Sequence, residues 1–83
     1  MKNAVMCVLV KNRNSDAPKL QEVLTSHGCI IKTRIGVHEV SHTCAEDGLI
    51  MLHLTGSSDD IINLEKDIND LSEIRAKTLY LDF

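Results

Sequence analysis

Two stretches of the chain are apolar at consecutive positions, and most of the remainder alternates or recurs with a helical period. Ala4 to Val10 reads A-V-M-C-V-L-V, and Gly48 leads into L-I-M-L-H-L-T. Short runs of this kind, rich in branched aliphatic residues and bounded by polar segments, predict strands with apolar side chains on both faces. Ile30 to Val40 opens on two isoleucines and then alternates, with Ile31, Thr33, Ile35 and Val37 on one side and Lys32, Arg34 and His38 on the other. Cations on the pleat suit an edge strand, because they discourage pairing with a further strand. Gly36 inside that strand predicts a bulge. Ala76 to Phe83 alternates Lys77, Leu79, Leu81 and Phe83 with Thr78, Tyr80 and Asp82, a fourth strand.

Two segments carry the helical period. Leu20, Val23, Leu24 and His27 fall at i, i+3, i+4 and i+7, one apolar stripe. Ser15 and Asp16 precede it as cap and first-turn acid, Pro18 fits a first turn, and Gly28 supplies a left-handed stop. Ile61, Leu64, Ile68 and Leu71 form the second stripe, with Ser57 placed to cap and Asp60 in the first turn. The order β-α-β-β-α-β predicts an α+β fold, a ferredoxin-like antiparallel sheet of strand order 4-1-3-2 with two helices on one face. The reading treats residues 1–83 as a single domain.

Helices on one face leave the other face of two apolar central strands without cover. Exposed aliphatic surface of that kind marks an interface, so a second subunit is expected on the sheet, with Val8, Met51 and His53 at the contact and a homodimer or homotetramer as the product. Size points the same way: 83 residues with 2% aromatic side chains give a small aliphatic core, in the range where self-association commonly completes a fold. A net charge of −3 argues against direct binding of nucleic acid, and no run approaches the roughly 18 apolar residues of a membrane span. Three cysteines without a C-x-x-C spacing suit a reducing compartment, hence a cytoplasmic protein.

The chemistry-bearing residues are concentrated between the second and third strands. His38, Glu39, His42, Cys44, Glu46 and Asp47 lie there, with His53 farther along. Imidazole and thiolate together suit nickel or zinc. In an extended chain His42 and Cys44 share a face about 7 Å apart, while His38 is roughly 13 Å from His42, so four ligands require a bend or a second subunit. The metal candidates are therefore His42, Cys44, His38 and His53, the last being alternatively a hydrogen-bonded interface histidine. Lys11 and Arg13, near a helix N-terminus, and Arg34 are candidates for holding a small-molecule ligand. Cys7 reads as a small hydrophobe inside a strand, Cys29 as structural, and His27 as a helix-end cap. Ser41, His42 and Cys44 offer a nucleophile and a base without a third group, and no nucleotide-binding or nucleophile-elbow motif is present, which favours a protein that is not an enzyme.

Placed in this frame, R-I-G at Arg34, Ile35 and Gly36, G-L-I-M-L-H-L-T-G from Gly48 to Gly56, and then Ile61, Leu64, Ile68, Ile74 and Lys77 resemble a small family of iron-only hydrogenase system regulators with an ACT-like, ferredoxin-like fold. The resemblance covers some two-thirds of the chain and implies a regulatory or sensory module that self-associates and acts through a small-molecule effector or a protein partner. The architecture is also similar to the ligand-binding C-terminal domain of nickel-responsive repressors. Their paired H-x-H does not occur here, so those ligands do not transfer. Amino-acid-binding ACT domains are similar too, but Asp16-Ala17-Pro18 lacks the glycine that their first loop carries after proline.

Overall fold

The two consecutive apolar runs become the centre of one sheet. A computed structural model describes residues 1–11, 13–37 and 48–81, without the side chains of residues 13–16 and 37. Strands β1 (Lys2–Val10), β2 (Ile31–Val37), β3 (Gly48–Gly56) and β4 (Ile74–Leu81) form an antiparallel sheet in the order β2-β3-β1-β4, with α1 (Arg13–Ser26) and α2 (Ser58–Asn69) between them. The predicted ferredoxin-like topology is the observed one, with β1 and β3 inside and β2 and β4 at the edges.

One pleat phase of each strand meets the helices. Ala4, Met6, Val8 and Val10 of β1, Leu52 and Leu54 of β3, and Ile74 and Ala76 of β4 are buried against Leu20 and Leu24 of α1 and Ile61, Leu64 and Ile68 of α2. This core supplies the apolar burial that drives folding. Val8 was expected at an intersubunit contact; it belongs instead to the helix side, at 0% exposure. The reason is register: β1 is apolar on both faces, and only its pairing with β3 decides which phase the helices cover.

Local details differ from expectation at four points. Helix α1 starts at Arg13, two residues before the expected Ser15 cap, which moves Pro18 out of the first turn and leaves the carbonyl of residue 14 without its helical amide partner. Gly28 is not a left-handed stop, since no glycine among the described residues has positive φ. The chain passes instead into a 3-10 turn over Gly28–Ile30, with His27 N donating to Val23 O at 3.2 Å and Ile30 N to His27 O at 3.2 Å. The bulge of β2 lies at Lys32, not Gly36: Ile31 pairs with Leu54 and Thr33 already with His53. Ile31 therefore turns to the core, while Thr33 and Ile35 turn to the other face. Finally Cys7, expected inside, is exposed.

Helix α2 forms as its sequence dictates. Ser57 Oγ accepts from Asp60 N at 3.1 Å, and Asp59 and Asp60 sit in the first turn, where carboxylates favour the positive end of the helix dipole. Between α2 and β4, Glu73 takes φ 62°, a conformation that costs a non-glycine residue about 1–2 kcal/mol. Its carbonyl accepts Lys11 N at 2.8 Å, and its carboxylate lies 3.7 Å from Lys11 Nζ, so the turn is pinned to the end of β1.

Candidate functional site: an open sheet face and a groove beneath the first helix

The face of the sheet turned from the helices is built in cross-strand rows. Leu79, Val5, His53 and Thr33 form one row, and Lys77, Cys7, Met51 and Ile35 the next. Leu79, Leu81, Leu9 and Ile35 are 64%, 52%, 51% and 50% exposed, and Met51 and Leu49 are half-buried. The sheet thus presents an apolar face turned from the helices, and Met51 and His53 lie on it. A depression of about 170 Å³ interrupts it, lined by Val5, Thr33, Ile35, Met51 and His53. The charge on this face has one sign: Arg75 and Lys77 stand at the β4 edge, and no described strand position of the face carries a carboxylate.

His53 is engaged in hydrogen bonding. Its Nε2 lies 3.3 Å from Asn3 Oδ1, which also accepts from Thr55 Oγ1 at 3.1 Å. This polar cluster fixes the imidazole at the end of β3 remote from Gly48, five residues or roughly 17 Å along the strand. His38, His42 and Cys44 lie outside the described residues, and among the described residues no group of three His, Cys, Asp or Glu is placed to hold a metal ion.

On the helix side, a groove of about 460 Å³ runs between α1 and the sheet where β2 and β3 meet. Arg34 reaches it: its pleat phase faces α1, where Nη1 donates to Gln21 Oε1 at 2.7 Å. Lys11 does not. Its side chain, 74% exposed, turns toward Glu73 and lines a different hollow with Leu9 and Arg75. The side chain of Arg13 lies outside the description. Lys11 and Arg34 therefore line different hollows on the described surface.

Over residues 2–78 the sequence matches the TM1266-like family model, described as "iron-only hydrogenase system regulator, putative". The chain belongs to this family. Among solved structures it is similar to the uncharacterized protein TM1266 from Thermotoga maritima, with a TM-score of 0.86 at 23% identity over 98% of both chains. It also superposes on CPII, a nitrogen regulatory PII-like protein from Thiomonas intermedia, in the form bound to ADP, AMP and bicarbonate. There the TM-score is 0.55 at 12% identity, covering 100% of this chain and 93% of the other. At these identities both likenesses concern the fold. No curated protein matches the sequence.

Within this TM1266-like chain, sequence reasoning missed two tertiary links. His27, a helix-end cap by sequence position, instead meets Asp67 Oδ2 of α2 with its Nε2 at 2.8 Å, joining the end of α1 to α2 across 40 positions. Asn69 pairs through its side chain with the backbone of Ala76 in both directions, Ala76 N donating to Oδ1 at 2.7 Å and Nδ2 donating to Ala76 O at 3.1 Å. Neither link has a local signature. Among the described residues, no helix is long and apolar enough to cross a membrane.

Proposed function

We propose that this member of the hydrogenase-regulator family is a non-enzymatic regulatory module that self-associates through the open face of its sheet and answers to a small-molecule effector or a protein partner in a reducing cytoplasm. The observation that carries the reading is the aliphatic face itself, with Leu79, Leu81, Leu9 and Ile35 half or more exposed in a contiguous surface. Such a surface is costly to leave in water and is normally covered.

A second copy is the occupant that the face fits. A two-fold axis parallel to the strands carries β4 of one copy over β2 of the other. Leu79 then stands above the depression that Thr33, Val5 and His53 line, a projecting side chain over a hollow in an isologous contact. The same operation sets Lys77 against the neutral Ile35 and Arg75 against the β2 end of the Leu9–Leu49 row, keeping like charges apart. Native mass spectrometry of the reduced protein tests this: an oligomer is expected, reduced to monomer by Leu79→Lys or Met51→Lys. A wild-type monomer at micromolar concentration overturns the reading.

A further inference from the structure

We propose that the groove between α1 and the β2–β3 end of the sheet binds a small amphipathic carboxylate, its head group on Arg34 and its apolar body against the sheet. The space is written into the residue choice. Gly36 and Gly48 both occupy the helix-facing pleat phase, opposite Ile50 and Val10 in the ladder, and a Cβ at either would meet nothing within 4 Å. Above them α1 presents Ala17 and Pro18, which are short. Elsewhere on this side Met6, Val8, Leu52, Leu54 and Ile74 fill the interval to the helices. Here the sheet is bare, and a volume of about 460 Å³ remains, within the range of small-molecule sites.

The chemistry of the lining selects the ligand. Val10, Leu20 and Ile50 give apolar walls, and Arg34 is the one cation among the described lining residues. Its guanidinium is oriented by Gln21 through a hydrogen bond and has no carboxylate partner among the described residues. A planar fork with free N–H donors at the mouth of an apolar groove matches a carboxylate bidentately. The site lies on the opposite side of the sheet from the open face. It takes from the proposed function only that a regulator has an effector.

The test is an amide-resolved NMR titration with octanoate, using 1-octanol as the uncharged probe of equal length, with oligomeric mass measured on the same samples. Saturable octanoate shifts are expected at Gln21, Gly36 and Gly48. Arg34→Gln is expected to weaken octanoate at least tenfold and leave octanol unchanged. Gly36→Val, whose Cβ meets nothing within 4 Å, is expected to fold as the wild type does and to abolish both. Shifts confined to the open face, an Arg34→Gln protein that binds octanoate as tightly as wild type, or a Gly36→Val protein with unchanged affinity each overturn the site. A monomer that binds in the groove overturns self-association and leaves the site standing; an oligomer without groove shifts does the reverse.

Discussion

The side-chain amide of Asn69 satisfies both the N–H and the C=O of Ala76, at 2.7 and 3.1 Å. Ala76 stands opposite Val8 in the ladder, and its polar groups point away from β1 to the outer edge of the sheet. The last residue of α2 therefore occupies the place of a neighbouring strand for one residue. Asn69→Ala leaves a part-buried donor and acceptor without partners and is expected to cost about 1–3 kcal/mol, read as a lower urea midpoint at unchanged slope. Asn69→Asp keeps the acceptor, loses the donor and is expected to fall at or below the alanine variant.

Gly56 is needed for close approach. A Cβ there would lie 2.8 Å from Ile30 Cγ2 and 3.3 Å from Ile30 Cβ, and a branched, buried side chain has little room to give. Gly56→Ala is expected to destabilise by about 1–3 kcal/mol. In the double variant with Ile30→Ala the two costs should sum to less than additive, because the clashing methyl is gone. Strict additivity in thermal or urea unfolding counts against the contact.

His27 and Asp67 tie the helices with half of the carboxylate still in water, the Asp67 side chain being 50% exposed. A coupling of at most about 1 kcal/mol is expected from a double-mutant cycle with alanine at both positions, declining with added salt. A coupling indistinguishable from zero at low salt means that the pair holds geometry without contributing stability.

Val8 and Met51 separate stability from association. Val8→Ala opens a cavity in the core, at a cost of about 1–3 kcal/mol, with subunit number unchanged. Met51→Lys places a charge on the half-buried open face and is expected to change subunit number while unfolding of the monomer is little affected. An oligomer that survives Met51→Lys and Leu79→Lys leaves the sheet face without the role assigned to it.

The contrast between these two positions marks what the sequence discloses. Strand number, order and the central position of β1 and β3 follow from the apolar pattern along the chain, since a run such as Met6-Cys7-Val8-Leu9 has nowhere to lie but between neighbours. The same run hides its phase: with apolar residues at odd and even positions, nothing local says that Val8 faces the helices and Cys7 does not. The bulge at Lys32 was equally hidden, because an alternating sequence reads as alternating whether or not one residue is extra. Arg34 was legible as a candidate by type, but its meeting with Gln21 depends on how α1 crosses the sheet, a relationship across 13 positions. The glycines of the groove were visible as punctuation, whereas their common pleat phase emerged only from the ladder.

The extra residue in β2 sets a reading frame for the strand. Ile31 belongs to the interior frame and Thr33, Ile35 to the exterior one, and Lys32 is the spacer that lets both be right. Substituting Lys32 changes one exposed side chain. Deleting it forces a choice between pulling Ile31 out of the core and turning Arg34 onto the opposite surface of the protein. Between diverged relatives, a gap placed anywhere else in this strand aligns the inside of one molecule with the outside of the other.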